Sequence, residues 1–509
     1  MTSSSELPDS SVTKLGTSTH SVKESPGLVR ALGLGAAIAI VVGNVIGAGI
    51  FLKPRAIAIN CGEFPLIISG WILAGIVCMF GALCFAELAS MLPHAGGLYV
   101  FLREAYGKCV AFLFGLNEFV FGRTATNGAL ATAFSVMSIS LITGSRDVDV
   151  DPWLSAVVAC GTIGLLAAIN MIGVAWGGRV QSSTTLVKAG FLGMIALLPF
   201  LLALGDHASL KLSNYGSSVA QPALTTVSAQ FAAIFMAVMW AYNGWHDIAP
   251  VAEEVRDPQR NIPRSLIWGT GIIMVLYVST NLAYHGALTM TQIAEGDENT
   301  AILMIRTVLE PYGSNWSRLG VASVSAVAIC SVFGALNCNL MLGPRIAFAM
   351  ARDGIFWRPL ANVHPTFRTP AVAILTQGTV SCCFVLVVTY LVVTVESLKN
   401  LKVFDLLTNF VVYSANIFYA LCILAVFILR IRHPEWHRPY RTWGYPIVPA
   451  FYLAVMGWFL TAAYFAQPYE SKVALCLVLL GLPLYALNQW WNRKTGLPAN
   501  TSGGEGTGF

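Results

Sequence analysis

The chain has 509 residues, of which 56% are hydrophobic and only 11% charged, against roughly 45–50% apolar and about 25% charged in an average soluble domain. Such a chain cannot hide its apolar surface in water, and its long apolar stretches follow one another from Leu32 to Trp491 with no room for a separate soluble domain. A net charge of +5 is modest for this length and implies no nucleic-acid partner, while the eleven cysteines form no CxxC pair and read as small, reduced core residues.

Residues 1–30 are rich in Ser, Thr and charge and carry no apolar core, so they read as a disordered tail and not as a cleaved signal peptide. Apolar runs long enough to cross a bilayer then predict membrane helices over 31–59, 64–91, 106–143, 153–174, 182–205, 225–252, 264–290, 317–352, 370–395, 403–430, 445–466 and 472–492. The fold class is therefore an all-α membrane protein of about twelve spans. Between the seventh and eighth runs, Ala301–Leu309 suits a helix lying at the interface better than a span. Residues 493–509 read as a second tail. Lys and Arg favour the side of the amino terminus by about two to one, which predicts that both termini are cytoplasmic.

Two of these helices carry signs of a break. The first contains Val42-Gly-Asn-Val-Ile-Gly-Ala-Gly-Ile-Phe51, and each glycine costs a helix about 1 kcal/mol relative to alanine. Broken backbone in a membrane is tolerated where it faces protein or a wet cavity. There the first N–H groups of the resuming half-helix suit a carboxylate. The alternative is that Gly43 and Gly47 form a GxxxG packing face, and this segment alone leaves the two readings level. The sixth helix shifts the balance, because Trp240-Ala-Tyr-Asn-Gly-Trp-His-Asp247 sets polar residues within an apolar span, with Pro250 close behind. Interruptions in helices one and six point to a substrate site between two inverted repeats.

These segments resemble the amino acid, polyamine and organocation transporters, in particular the L-amino acid transporter branch and its prokaryotic relatives. The resemblance spans roughly residues 30–450. Beyond Val42–Phe51 it is carried by Trp240–Arg264, ending in Glu253-Glu-Val-Arg-Asp-Pro-Gln-Arg-Asn-Ile-Pro-Arg264. Ala86-Glu87 with Pro93, Gly96, Gly97 and Tyr99 adds to it, as do Phe333-Gly-Ala-Leu-Asn337, Arg345 and Ala351-Arg-Asp-Gly354. It implies a LeuT-like 5+5 inverted repeat with broken helices 1 and 6: a first repeat over 31–205, a second over 225–430, and two further helices over 445–492. It also implies a sodium-independent carrier of amino acids working by alternating access in the plasma or inner membrane, without cofactor or metal. The substrate carboxylate would meet the backbone around Ile46, Gly47, Ala48 and Gly49. The ammonium would meet carbonyls around Trp240, Ala241 and Tyr242, near Asn243 and Gly244, and Trp240 would close over the substrate from outside. Ala48 stands where many members have Ser and Asn243 where carriers of large neutral amino acids have Gly, which favours small or polar neutral substrates; exchange is the expected mode of transport. Proton symport and polyamine or organic-cation transport are the alternatives.

Several charges fall inside the apolar runs. Lys188, in helix five, either faces a partner or snorkels to the interface. The resemblance implies the first, with the ammonium in the place of a sodium ion, against the broken helix near Gly43. Arg123 in helix three follows Glu118 by five residues, a spacing at which pairing on an α-helix is imperfect, and a structural or gating role is expected of it. His246 and Asp247 either carry protons or cap and solvate the resuming half-helix. The segment Thr143-Gly-Ser-Arg-Asp-Val-Asp-Val-Asp-Pro-Trp153 holds no cysteine, whereas the resemblance places one there in animal light chains, so no covalent heavy subunit is expected. The eight histidines form no HExxH or other metal pattern, which leaves nothing for an intramembrane enzyme, and a receptor without flux finds no signalling domain.

Overall fold

The computed structural model describes residues 27–47, 49–143, 150–205, 210–219, 222–296, 299–395, 403–466 and 468–494. The expected tails therefore lie mostly outside the described residues, as does Ala48. Among the described residues the fold is all helical, with two isolated β-bridges, Leu32 with Val255 and Glu63 with Ser218.

In chain order the helices are α1 (Leu34–Val45), α2 (Gly49–Cys61), α3 (Phe64–Met91), α4 (Leu98–Tyr106), α5 (Lys108–Leu116), α6 (Arg123–Thr143), α7 (Pro152–Ile172) and α8 (Val174–Leu202). They continue with α9 (Val227–Tyr242), α10 (Pro258–Ala287), α11 (Met290–Glu295), α12 (Thr300–Leu309), α13 (Ser314–Arg352), α14 (Ala371–Thr394), α15 (Val403–Arg432), α16 (Ile447–Ala466) and α17 (Pro468–Lys494). Ten helical stretches among the described residues are long and apolar enough to cross a membrane, α5 and α6 counting as one, and α1 and α9 are shorter apolar helices. The long helices turn large apolar side chains outward, among them Val157, Leu186, Leu201, Trp268 and Val275, each at least half exposed. Apolar surface on this scale is stable against lipid and not against water.

Where the expectations and the structure differ, local chemistry gives the reason. The run 106–143 is not one α-helix: Gly107 takes φ 88 and separates α4 from α5, and a π-helical turn over Asn117–Gly122 links α5 to α6. The run 225–252 is helical only to Tyr242, then turns through Asn243 and Gly244 into a 3₁₀ segment over Ala249–Glu254. Ala301–Leu309 forms α12 as expected, with Ala301, Met304, Ile305 and Val308 buried on one face. The last residues of the expected tail are tied down, Arg368 donating to Gly27 O and Arg256 to Arg30 O, while Ala31 and Leu32, expected to open the first helix, lie before it and donate backbone N–H bonds to Glu254 O.

Helix α1 sits at the centre, packed against α8, α10 and α13. On the face carrying residues 27–32, Arg345 of α13 is fully buried against Glu254, with Nε 2.8 Å from Oε1 and a second contact of 3.2 Å to Oε2. Arg352 pairs with Glu253 at 2.9 Å, and Arg103 of α4 with Asp353 at 2.6 Å. Desolvation works against the Arg103 cation, but Asp353 and Glu104 outweigh it and hold its pKa above the ordinary arginine value. These pairs join α13 to the segment after α9, and α4 to the residue that follows α13.

Candidate functional site

The interruption after α1 is made by the chain's own backbone chemistry. A helix leaves its last carbonyls without intrahelical donors, and here three carbonyls at the end of α1 find one on a neighbouring helix. Lys188 Nζ donates to Gly43 O, Tyr277 OH to Val45 O at 2.8 Å, and Ser331 Oγ to Ile46 O at 2.8 Å. The donors come from α8, α10 and α13, so three neighbouring helices hold the end of α1. Lys188 is fully buried, and no acidic side chain is among its hydrogen-bond partners. Its ammonium is carried by carbonyls at a helix carboxyl end, where the dipole favours a cation. The snorkelling alternative does not hold for a side chain with no exposed surface.

The end of α9 approaches the start of α2 directly. A Cβ on Gly49 would lie 2.8 Å from Ala241 Cα and 2.9 Å from Ala241 Cβ, so only glycine permits this contact. Gly244 takes φ +105, a backbone that L side chains rarely adopt, and its missing side chain leaves room for Asn44. Tyr277 OH lies 2.8 Å from Val45 O and 3.2 Å from Ala241 O, and thus bridges the two interruptions. Of the two glycines in the GxxxG pattern, Gly43 packs tightly on Thr185 and Gln181 of α8, whereas a Cβ on Gly47 would meet only Val45 O, at 3.9 Å.

A cavity of about 320 Å³ opens where these ends meet, within the range of small-molecule sites, roughly 300–1,000 Å³. Its polar end is lined by Asn44, Glu118, Arg123, Asn243, Asp247, Asn339 and Tyr419, and its apolar wall by Ala129, Leu130, Ala133 and Met137 of α6. Gly47, Gly49, Trp240, Ala241 and Gly244 complete it. Gly47 N–H is turned to Val45 O at 2.7 Å. The N–H groups open to a carboxylate are therefore those of the first turn of α2, which starts at Gly49.

Arg123 organises the polar end. Its Nε donates to Glu118 Oε2 at 3.0 Å, one terminal nitrogen to Asp247 Oδ1 at 2.5 Å, and the other to Asp247 Oδ2 at 3.1 Å and Asn339 Oδ1 at 2.7 Å. Asn44 also donates to Asp247, and His246 Nε2 lies 3.3 Å from Asp247 Oδ1. The Glu118–Arg123 pairing corrects the expectation of a poor fit at five residues. A π-turn closes i to i+5 hydrogen bonds, so residues 118 and 123 stand one above the other where an α-helix would splay them. Asp247 is likewise not a helix cap; it pairs with Arg123 across the gap between α6 and the turn after α9.

Not every expected residue reaches the cavity. Ile46 is fully buried and offers only its carbonyl, to Ser331; Tyr242 is fully buried against Trp71 and Tyr277. His246 lies behind Asp247 against Tyr419, with ring centroids 4.3 Å apart and the rings tilted by 56°. Lys188 and Gly43 lie behind the break. Sequence reasoning did not single out Asn44, Tyr277, Ser331, Asn339 or Tyr419, nor place Glu118 in the site. Asn44 sits within the glycine-rich segment itself; the others come from helices whose order in space the apolar pattern does not encode.

The comparison with protein families is decisive on kinship, because the family model described as amino acid permease matches residues 32–481, the whole of the region just described. The chain belongs to the amino acid permease family. Among similar permeases, the serine/threonine exchanger SteT of Bacillus subtilis (strain 168) is 30% identical, the alignment covering 91% of this chain and 97% of that protein. The human large neutral amino acids transporter small subunit 2 is 27% identical over 92% of this chain and 82% of its own length. The mouse Asc-type amino acid transporter 1 is 28% identical over 92% and 83%. In this permease the residues that line the cavity all fall within the matched region.

Proposed function

We propose that this permease is a sodium-independent exchanger of small or polar neutral L-amino acids, working by alternating access. The observation that carries the reading is the meeting of two interrupted helices at one cavity, with a lysine ammonium against the carbonyl end of the first. Helix ends at a midplane break offer N–H groups to a carboxylate and carbonyls to an ammonium, the two groups every amino acid shares. Lys188 supplies at Gly43 O the positive charge that a sodium ion would otherwise bring. Each interrupted pair, α1 with α2 and α9 with the 3₁₀ segment, then counts as one span of a twelve-span, 5+5 inverted-repeat body in the plasma or inner membrane.

With the termini cytoplasmic, Trp240 lies on the outer side of the substrate. Lys53 Nζ sits 4.6 Å from its ring centroid, a cation–π contact that holds it in place. Arg123 and Asp247 form the inner floor, and Arg345–Glu254 a second closure below it. Similarity to SteT favours hydroxyl amino acids, and Asn243, whose Oδ1 accepts from Tyr419 OH at 3.0 Å, makes that part of the wall polar. The lack of cysteine in the 143–153 segment argues against a covalent heavy subunit.

Counterflow tests the reading. Proteoliposomes loaded with unlabelled serine are expected to accumulate radiolabelled serine equally in sodium and in choline buffer, and far less when empty. Uptake that needs sodium, or that is indifferent to internal amino acid, would overturn it. A second reading, proton symport, draws on the buried carboxylates Glu118 and Asp247, and predicts uptake into empty vesicles driven by an inward proton gradient.

A further inference from the structure

The polar end of the cavity holds two carboxylates and one guanidinium, and their hydrogen bonds are shared unequally. Both Asp247 oxygens are taken by Arg123, and Oδ2 also accepts from Asn44. Glu118 uses Oε2 for Arg123 Nε, and among the described residues no donor reaches Oε1. The residue is only 6% exposed and lines the cavity, so that this surface is cavity surface. A Cβ on Gly122 would stand 3.4 Å from Oε1, and the glycine leaves that oxygen uncovered. The π-turn over Asn117–Gly122 is what aims Glu118 here, and such turns occur frequently at functional sites.

Arg123, for its part, is already committed to Glu118, Asp247 and Asn339. It has little left to offer a carboxylate on a ligand, while the pair of acids around it leaves the cluster one negative charge in excess. A ligand that fills the cavity without bringing a donor leaves this acceptor unpaired, which is costly, and a ligand that brings the donor avoids that cost.

We infer that Glu118 reads the substrate side chain: its free oxygen accepts a hydrogen bond from a side-chain donor, a hydroxyl above all, and its charge excludes side-chain carboxylates. This rests on the exchanger reading above and names the residue that sets its selectivity. Gly49 and Ala241 would hold the backbone of the amino acid on one wall, and Glu118 meets the side chain from another.

The test is competition against radiolabelled serine in serine-loaded proteoliposomes, with isosteric competitors that differ in the donor. Threonine is expected to inhibit at concentrations about tenfold or more below valine, as a hydrogen bond to a charged acceptor implies, and aspartate is expected not to compete. Glu118→Gln should bring the threonine-to-valine ratio near unity, chiefly by weakening threonine. Glu118→Asp, which keeps the charge and retracts the oxygen, should give an intermediate ratio; a merely structural role would weaken both competitors alike. A wild-type protein that does not distinguish threonine from valine overturns the inference without any variant. So does a ratio that stays at its wild-type value in both variants. Absence of serine counterflow in the wild type would instead overturn the exchanger reading itself.

Discussion

Removing Arg123 and removing Asp247 break the same ion pair, yet the charge count predicts very different costs. With His246 neutral, the buried cluster of Glu118, Arg123 and Asp247 carries one excess negative charge. Arg123→Met leaves two carboxylates buried without a cation, and it also strips Asn339 Oδ1 and Glu118 of their donor and leaves Asp247 only Asn44. Breaking a buried pair in this way typically costs about 3–5 kcal/mol. Asp247→Asn removes the excess charge instead, leaves Arg123 paired one to one with Glu118 at 3.0 Å, and keeps a carbonyl acceptor for Arg123. Its amide nitrogen takes the place of one oxygen that accepts from Arg123 or Asn44, and the cost is that of one buried hydrogen bond lost, about 1–3 kcal/mol. Thermal unfolding in detergent micelles, followed by tryptophan fluorescence and by loss of the monodisperse peak, is expected to show a fall of many degrees for Arg123→Met and a small one for Asp247→Asn. Equal losses, or the reverse order, would refute the charge accounting and would mean that Asp247 is a structural cap after all.

Three further outcomes are expected. Lys188→Ala should abolish serine counterflow while the protein remains monodisperse, because the end of α1 loses the cation that holds Gly43 O; unchanged flux would dissociate Lys188 from transport. Gly49→Ala places a methyl against the backbone of Ala241, an overpacking of about 1–3 kcal/mol, and is expected to lower both the melting temperature and the affinity for serine in equilibrium binding; an unaltered affinity would separate Gly49 from the site. Glu254→Gln and Arg345→Met should each be strongly destabilising, since that pair is fully buried. The double variant should recover part of the loss, and strict additivity in the cycle would show that the two side chains do not interact.

Apolar runs, read against the thickness of a bilayer, determined that this is an all-helical membrane protein, because each long helix must meet lipid on its own account and so carries its signal locally. The glycines at 43, 47 and 49 and the polar stretch 243–247 located the ends of α1 and α9 for the same reason: the propensity to stop a helix resides in the residues that stop it. What the sequence could not express was which groups those ends meet. Lys188, Tyr277 and Ser331 lie in three separate helices, and only packing brings their donors to the carbonyls of Gly43, Val45 and Ile46 at the end of α1. Glu118 and Arg123 looked mismatched at a spacing of five until a π-turn, decided by the surroundings of Asn117–Gly122, put them in register. Asp247 could be read as a cap or a proton carrier from its neighbours in the chain. Its partner stands 124 positions away, and the polar end of the cavity exists because folding brought the two together.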